Sequence, residues 1–417
     1  MTFKKPGIFI IIFSLLAFLI FFRGLIPEFT GLYTIIFFIS CTAIIALKSK
    51  RHLDLSDYML ALMNIFYLAI SLIFYDYEYF RFFIGIYFAY FYFYAFYAFS
   101  SKQITLNEFN TALNIIIFLS LLSLFTSIIQ SFILEVNSDA SSLFIIRGYS
   151  AFFDNSITFT ISLTILIPIL LYKSKEKPYF VILAFIIFVF VFLTGTRKAI
   201  LASIIVLFMF ALFLGKPKHK IMAFISFSII LSLIYFFSHE QIHDRISHLN
   251  HYKFIDYRFM VARTVLLYES LNIASSNFPF GTGPGTFASV PAAVFYSPVY
   301  YETGLFLVHG LGPDVRSQPG MGNYLNDTFY PQLIAELGFI GAFLWMLFFL
   351  KPLLMTIQHH IKSKTSRNSI NYFLIYSFYT IALIESTGSP FLTNPSAVVF
   401  FIPIVSFLTT RLLNKAT

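Results

Sequence analysis

Apolar runs long enough to cross a bilayer, about 17–25 residues each, recur along the whole chain and are separated by short polar clusters. They fall at 7–22, 31–47, 57–75, 80–99, 109–134, 156–172, 178–194, 198–215, 220–237, 328–350, 370–387 and 393–411. Read as transmembrane helices, they predict an all-α, polytopic integral membrane protein of about twelve spans. The pattern breaks in two places. Glu135–Asn155 is a first polar interval, and Ser238–Asp327 is a second of about ninety residues, uncommon for a connection without a function. No internal repeat is evident, so 1–417 reads as one membrane domain, with 135–155 and 238–327 as loops within it.

Composition agrees. Hydrophobic residues make up 58% of the chain and charged ones 11%, against about 25% charged in soluble domains. The formal charge of +9 would suggest nucleic acid in a soluble protein. Here Lys and Arg gather in the short connections Lys48–Arg51, Ser100–Leu106, Lys173–Lys177, Lys216–Lys220, Gln358–Arg367 and Arg411–Lys415. By the positive-inside rule these are cytoplasmic, as are both termini, and the two long polar loops face the other side. No nucleic-acid partner is implied. The lone Cys41 excludes a disulfide within the chain. The aromatic run Tyr79–Phe99, in a chain with 57 Phe and 26 Tyr, reads as a lipid-facing or packed helix. Lys4 and Lys5 precede an apolar run without a small-x-small cleavage site, so 7–22 is expected to be a helix rather than a removed signal.

The informative charges are those that break the rule. Thr194-Gly195-Thr196-Arg197-Lys198-Ala199 joins two spans by a tight turn and puts Arg197 and Lys198 at the outer face. They are either snorkelling anchors or ligand-facing cations, and their shared turn favours the second. Arg147, Arg245, Arg258, Arg263 and Arg316 are also on the outer side. Guanidinium suits phosphate, because its planar fork donates two parallel hydrogen bonds and keeps its charge. Each could equally make a surface ion pair, as Arg245 does best with Asp244.

Within the large loop, Asp256–Ser276 has loosely helical apolar spacing. Phe278-Pro279-Phe280-Gly281-Thr282-Gly283-Pro284-Gly285 follows. It is not a P-loop, since no Gly-Lys-Ser/Thr follows. Either it is a sharp turn needing glycine torsions, or Gly281 and Gly283 let backbone N–H groups approach a diphosphate. Asp327 stands at the start of the next helix, as an N-cap or as a functional carboxylate. Glu336, deeper in, would face a polar cavity or pair with an arginine. His239, His243, His248 and His251 lack a zinc signature, and no metal or other cofactor is expected.

Arg263, then Pro279–Gly285, then Asp327-Thr328-Phe329-Tyr330-Pro331-Gln332-Leu333 and Glu336-Leu337-Gly338-Phe339-Ile340-Gly341, resemble the O-antigen polymerase and ligase superfamily. Thr194–Ala199 resembles its outer-face arginine turn, and Arg147-Gly148 with Phe152–Asn155 resembles the segment before its middle spans. The resemblance covers most of 145–345; the flanking spans agree only in hydropathy. It implies a GT-C-like architecture in a bacterial inner membrane and an undecaprenyl-diphosphate-linked oligosaccharide as donor and acceptor on the periplasmic side. Ligases of the superfamily typically carry a histidine where this chain has Asp327, which favours a polymerase of the Wzy type and, as a partner, a chain-length regulator of the Wzz type. On this reading Arg197 and Arg263 stabilise the departing diphosphate without a metal, and Asp327 is the general base. Arg147, Lys198, Arg258, Gly281, Gly283, Arg316 and Glu336 support substrate binding. A flippase would instead need short loops on both sides.

Overall fold

The computed structural model of the 417-residue chain describes residues 13–15, 17–18, 55–74, 85, 104–133, 156–214, 262–316, 324–362, 369–393 and 395–413. Every regular element among them is helical. The longer helices are α1 (Leu55–Phe74), α2 (Leu106–Ile133), α3 (Ser156–Lys173), α4 (Tyr179–Leu193), α5 (Arg197–Leu214), α6 (Ala262–Ser276), α7 (Phe329–Lys362), α8 (Ser369–Glu385) and α9 (Pro395–Leu413). Seven of the expected spans match α1 to α5, α8 and α9 to within three residues at each end. The expected spans 31–47 and 220–237, nearly all of 7–22 and 80–99, and the loop Glu135–Asn155 lie outside the described residues.

One boundary is corrected. The span expected to end at residue 350 runs on to Lys362, into the stretch Gln358–Arg367 that was expected to be a cytoplasmic loop. Hydrogen bonds across the bundle hold this extension: His359 Nδ1 lies 2.6 Å from the Tyr372 hydroxyl and His360 Nδ1 lies 3.2 Å from that of Tyr376, both on α8. Basic side chains in the last turn also suit the negative end of the helix dipole.

Helix α3 is the centre. It is buried along nearly its whole length, with Leu163, Leu166 and Ile167 fully so, and α2, α4, α5, α8 and α9 pack around it. Its hydroxyls are turned back onto its own carbonyls, as from Thr164 to Thr160 at 2.9 Å, so they enter the core without unmet demand. The outer helices show the opposite face. Phe118 and Phe125 on α2, Ile182 and Phe185 on α4, and Phe343 on α7 are all about 60% exposed. A water-soluble surface rarely carries so much contiguous apolar area, and α2 and α7 are long and apolar enough to cross a membrane.

The polar segment between α6 and α7 is not a loose connection. It has a small core of its own, built on Leu266, Phe287, Ala292, Tyr300, Leu305 and Leu311. The Tyr300 hydroxyl accepts from the Ala288 N–H at 2.9 Å and donates to the Leu325 carbonyl at 3.2 Å, while burial pushes the phenol far above its ordinary range. Ala262–Ser276 forms within the stretch where helical spacing was expected.

This outer layer is fastened to the bundle at a kink in α7. Gly338 has φ +66° and ψ 177°, which breaks the helical ladder and frees the carbonyls one turn earlier. The Thr282 N–H takes the Ala335 carbonyl and the Gly283 N–H that of Glu336, each at 2.8 Å. Tyr67 of α1 props the same loop, its hydroxyl donating to the Pro279 carbonyl and its ring 5.0 Å from that of Phe280. Gly85, the one described residue of the aromatic run, lies backbone to backbone against Pro284 and Gly285.

A Cβ at Gly338 would combine a left-handed φ with collision against the Pro279–Gly281 backbone. Gly338→Ala should therefore cost at least about 1–3 kcal/mol, read as a lowered melting temperature of the detergent-solubilised protein. An unchanged melting temperature would show that the kink is not needed to fasten the outer layer.

Candidate functional site

The α4–α5 turn is set by hydrogen bonding within its own few residues. The Thr194 hydroxyl donates to the Val191 carbonyl at 2.7 Å, and Gly195 takes φ +67° to reverse the chain. The Thr196 carbonyl then receives the Ile200 N–H at 3.0 Å, so Arg197 and Lys198 become the first two residues of α5. Cations there oppose the helix dipole by roughly 0.3–1 kcal/mol each. A fixed anion nearby would relieve this.

For Lys198 that anion is a residue the sequence reading missed. Its ammonium lies 3.1 Å from Glu385 Oε2, and donates to the Gly388 carbonyl at 2.8 Å and the Glu385 carbonyl at 3.4 Å. Two of its three donors are spent on those carbonyls, and its charge faces the carboxylate. Lys198 was expected to hold substrate; the structure shows it tying the start of α5 to the end of α8. Glu385 is fully buried and Lys198 17% exposed, so this pair is an internal staple. Nothing in the local sequence pointed to Glu385, since its partner is 187 residues away. An acidic residue at the end of an apolar span was the available signal.

Arg197, the neighbouring residue, is exposed and makes no ion pair among the described residues. Its charge and the first unbonded N–H groups of α5 are therefore open to an anion.

Arg263, the second residue of α6, meets Asp327 at the far side of the outer layer. The guanidinium donates to Asp327 Oδ2 through Nε at 3.0 Å and also through Nη2, and it lies over the Tyr324 ring with 5.7 Å to the centroid. Asp327 is thus the partner of an arginine rather than the cap of α7, which begins two residues later. The guanidinium's other nitrogen, Nη1, faces Gly388: a Cβ built on that glycine would be 3.8 Å from Nη1 and 3.8 Å from Lys198 Nζ. Gly388 therefore brings the two cations of the turn and of α6 to one place. Three buried side chains beside it, Thr328, Glu385 and Ser386, have oxygens that no hydrogen bond satisfies among the described residues.

Two other expectations are corrected. The N–H groups of Gly281 and Gly283 do not face a ligand: they donate to the carbonyls of Asn277, at 3.0 Å, and Glu336, at 2.8 Å. Among the described residues Glu336 meets no arginine. It is buried and accepts from the Phe287 N–H at 3.1 Å and the Gln332 amide at 3.4 Å, so it is a brace for the glycine-rich loop. Arg316 closes a 3₁₀ turn, Pro313–Arg316, and its side chain is outside the described set, as are Arg147 and Arg258 altogether.

Residues 182–346 match the family model described as O-antigen ligase (Wzy_C). The match runs from within α4 to within α7, takes in Arg197, Arg263 and Asp327, and stops before Glu385 and Gly388. It supports the O-antigen polymerase and ligase superfamily, whose members are glycosyltransferase-like membrane enzymes acting on lipid-linked saccharides. No curated protein matches the chain in a sequence comparison.

Removing one member of a buried pair leaves the other charge unmet, at a cost of about 3–5 kcal/mol where both are buried. Lys198 is partly exposed, so Glu385→Leu should destabilise toward the lower end of that range. Lys198→Met combined with Glu385→Leu should recover most of the loss. Thermal unfolding in detergent measures both, and a double variant no more stable than the single one would show that the pair is not coupled.

Proposed function

We propose that the chain is a polysaccharide polymerase of the Wzy type that works on undecaprenyl-diphosphate-linked oligosaccharide at the periplasmic face of the bacterial inner membrane. About twelve spans with cytoplasmic termini would place the site there, since that topology puts Arg197, Lys198, Arg263 and Asp327 on the side opposite the basic connections. The observation that carries the reading is the convergence of the Arg197–Lys198 turn and Arg263 on Gly388, with a carboxylate, Asp327, in direct contact with Arg263.

In the reaction, an acceptor sugar hydroxyl attacks the anomeric carbon of the donor. A new carbon–oxygen bond forms, the bond from that carbon to the phosphate oxygen breaks, and its electron pair leaves on the lipid diphosphate. Arg197 and the Nη1 edge of Arg263, which the contact with Asp327 does not use, stabilise that growing charge, a contribution of about 3–4 kcal/mol for a well-placed donor. The proton of the hydroxyl passes to Asp327, whose Oδ1 is left unused by the contact with Arg263. The chemistry needs no metal, because the arginines take the role of the cation. A chain-length regulator of the Wzz type remains a partner to be sought by co-purification.

A second reading is favoured by the matched family's own description: an O-antigen ligase that moves finished polymer to lipid A core. Deletion separates the two. Loss of a polymerase leaves single repeat units, whereas loss of a ligase accumulates full-length polymer on the lipid carrier.

Arg197→Ala and Arg263→Ala should each reduce chain extension by at least about 100-fold at normal protein level, seen as loss of the polymer ladder on a gel of surface polysaccharide. Full complementation of a polymerase-null strain by both variants would sink the assignment.

A further inference from the structure

The turn after α8 is outside the region matched by the family model, yet it forms one wall of the site. Its central residue is Gly388, whose N–H donates to the Glu385 carbonyl at 3.2 Å and whose carbonyl receives Lys198. Gly388 is buried and has no left-handed φ, so its backbone would accept an ordinary side chain. A Cβ there would meet Lys198 Cδ at 3.7 Å and both Lys198 Nζ and Arg263 Nη1 at 3.8 Å, all ordinary contact distances. Neither chain conformation nor packing therefore calls for glycine. What glycine does is leave a notch between an ammonium and the unused edge of a guanidinium.

We propose that Gly388 floors an anion subsite that seats one phosphate of a lipid diphosphate between Arg263 Nη1 and the Lys198 side chain. The inference rests on the donor proposed above and adds to it the residue that admits the phosphate. The charges support it. Lys198 is 17% exposed above a fully buried Glu385, and Arg263 is 46% exposed beside an Asp327 that is 17% exposed. Each carboxylate is less exposed than its cation, so the cations dominate the face shown to a ligand although the pairs are formally neutral. Lys198 contributes charge and a wall, since two of its donors are spent on carbonyls and the ammonium is turned to Glu385, while Arg263 supplies hydrogen bonds through Nη1. The unsatisfied hydroxyls of Thr328 and Ser386 flank the same seam, where the Phe329 N–H meets the Ser386 carbonyl at 3.3 Å.

The test is Gly388→Ala in the full-length protein, with Gly388→Val as a larger step. If the glycine is only structural, alanine is neutral or mildly stabilising, because it restricts the unfolded chain, and function is unchanged. If it floors the subsite, the alanine variant keeps its melting temperature but binds undecaprenyl diphosphate, measured by displacement of a fluorescent lipid diphosphate in detergent, at least about tenfold more weakly. Valine should weaken it further, and chain extension should fall in the same order. Wild-type binding with a full-strength Gly388→Ala variant would overturn the subsite and leave the donor assignment intact. A wild-type protein that does not bind the lipid diphosphate would overturn both. A Gly388→Ala protein that loses its melting transition would overturn the subsite as well, since the room for the methyl group would then be wrong.

Discussion

The kink at Gly338 is the constraint on which the rest of this molecule depends. A straight α7 would keep the Ala335 and Glu336 carbonyls inside its own ladder. Broken at residue 338, it offers both to the loop Gly281–Gly285. That pair of hydrogen bonds, with Glu336 beneath Phe287, fixes the outer layer to the helix whose own start carries Asp327. Arg263, at the other end of the same layer, is thereby brought to Asp327 across 64 residues of chain. The glycines that looked like a diphosphate cradle are spent on this joint, which sets where the arginine goes.

A second fixed point faces the first. Lys198 and Glu385 tie the start of α5 to the end of α8, and Gly388 is the residue that both halves reach. The two halves are built differently. The Arg263 side is half exposed and held by one carboxylate oxygen and a tyrosine face, so it can adjust as a ligand arrives. The Lys198 side is mostly covered and is held by two carbonyls and a carboxylate. One rigid wall and one adaptable one suit a ligand that enters charged and leaves more charged.

How much of this could be read from the sequence depends on distance along the chain. Helices were legible because each declares itself within about twenty apolar residues, and α3, α4 and α5 fell where hydropathy put them. The Arg197 turn was legible because its cations break the positive-inside pattern that the other connections follow. Arg263 and Asp327 were singled out separately, but their mutual contact was not, since a lone Asp before a helix reads equally well as a cap. Glu385 and Gly388 were missed for a different reason. A carboxylate at the end of an apolar span declares nothing until its partner is known, and a glycine without an unusual φ leaves no torsional signature. The α7 extension was hidden because its polar residues look like a cytoplasmic loop until Tyr372 and Tyr376 are seen beside His359 and His360.

The staple also bears on why a buried ion pair occurs where an apolar contact would serve stability as well. Well-packed hydrophobic residues of similar volume are often neutral or stabilising replacements for such a pair. Apolar contact, however, has no direction, and two helix ends joined only by it could slide by a fraction of a turn at little cost. The Lys198 ammonium, with one carboxylate and two carbonyls around it, fixes both the height and the rotation of α5 at its first turn. Arg197 is the adjacent residue on that turn, so its direction is set by the same contacts. Two cationic groups grip a diphosphate better than a single phosphate only if their spacing is held. A directional bond at the helix end supplies that spacing, and its desolvation cost is the consequence of placing it where water cannot loosen it.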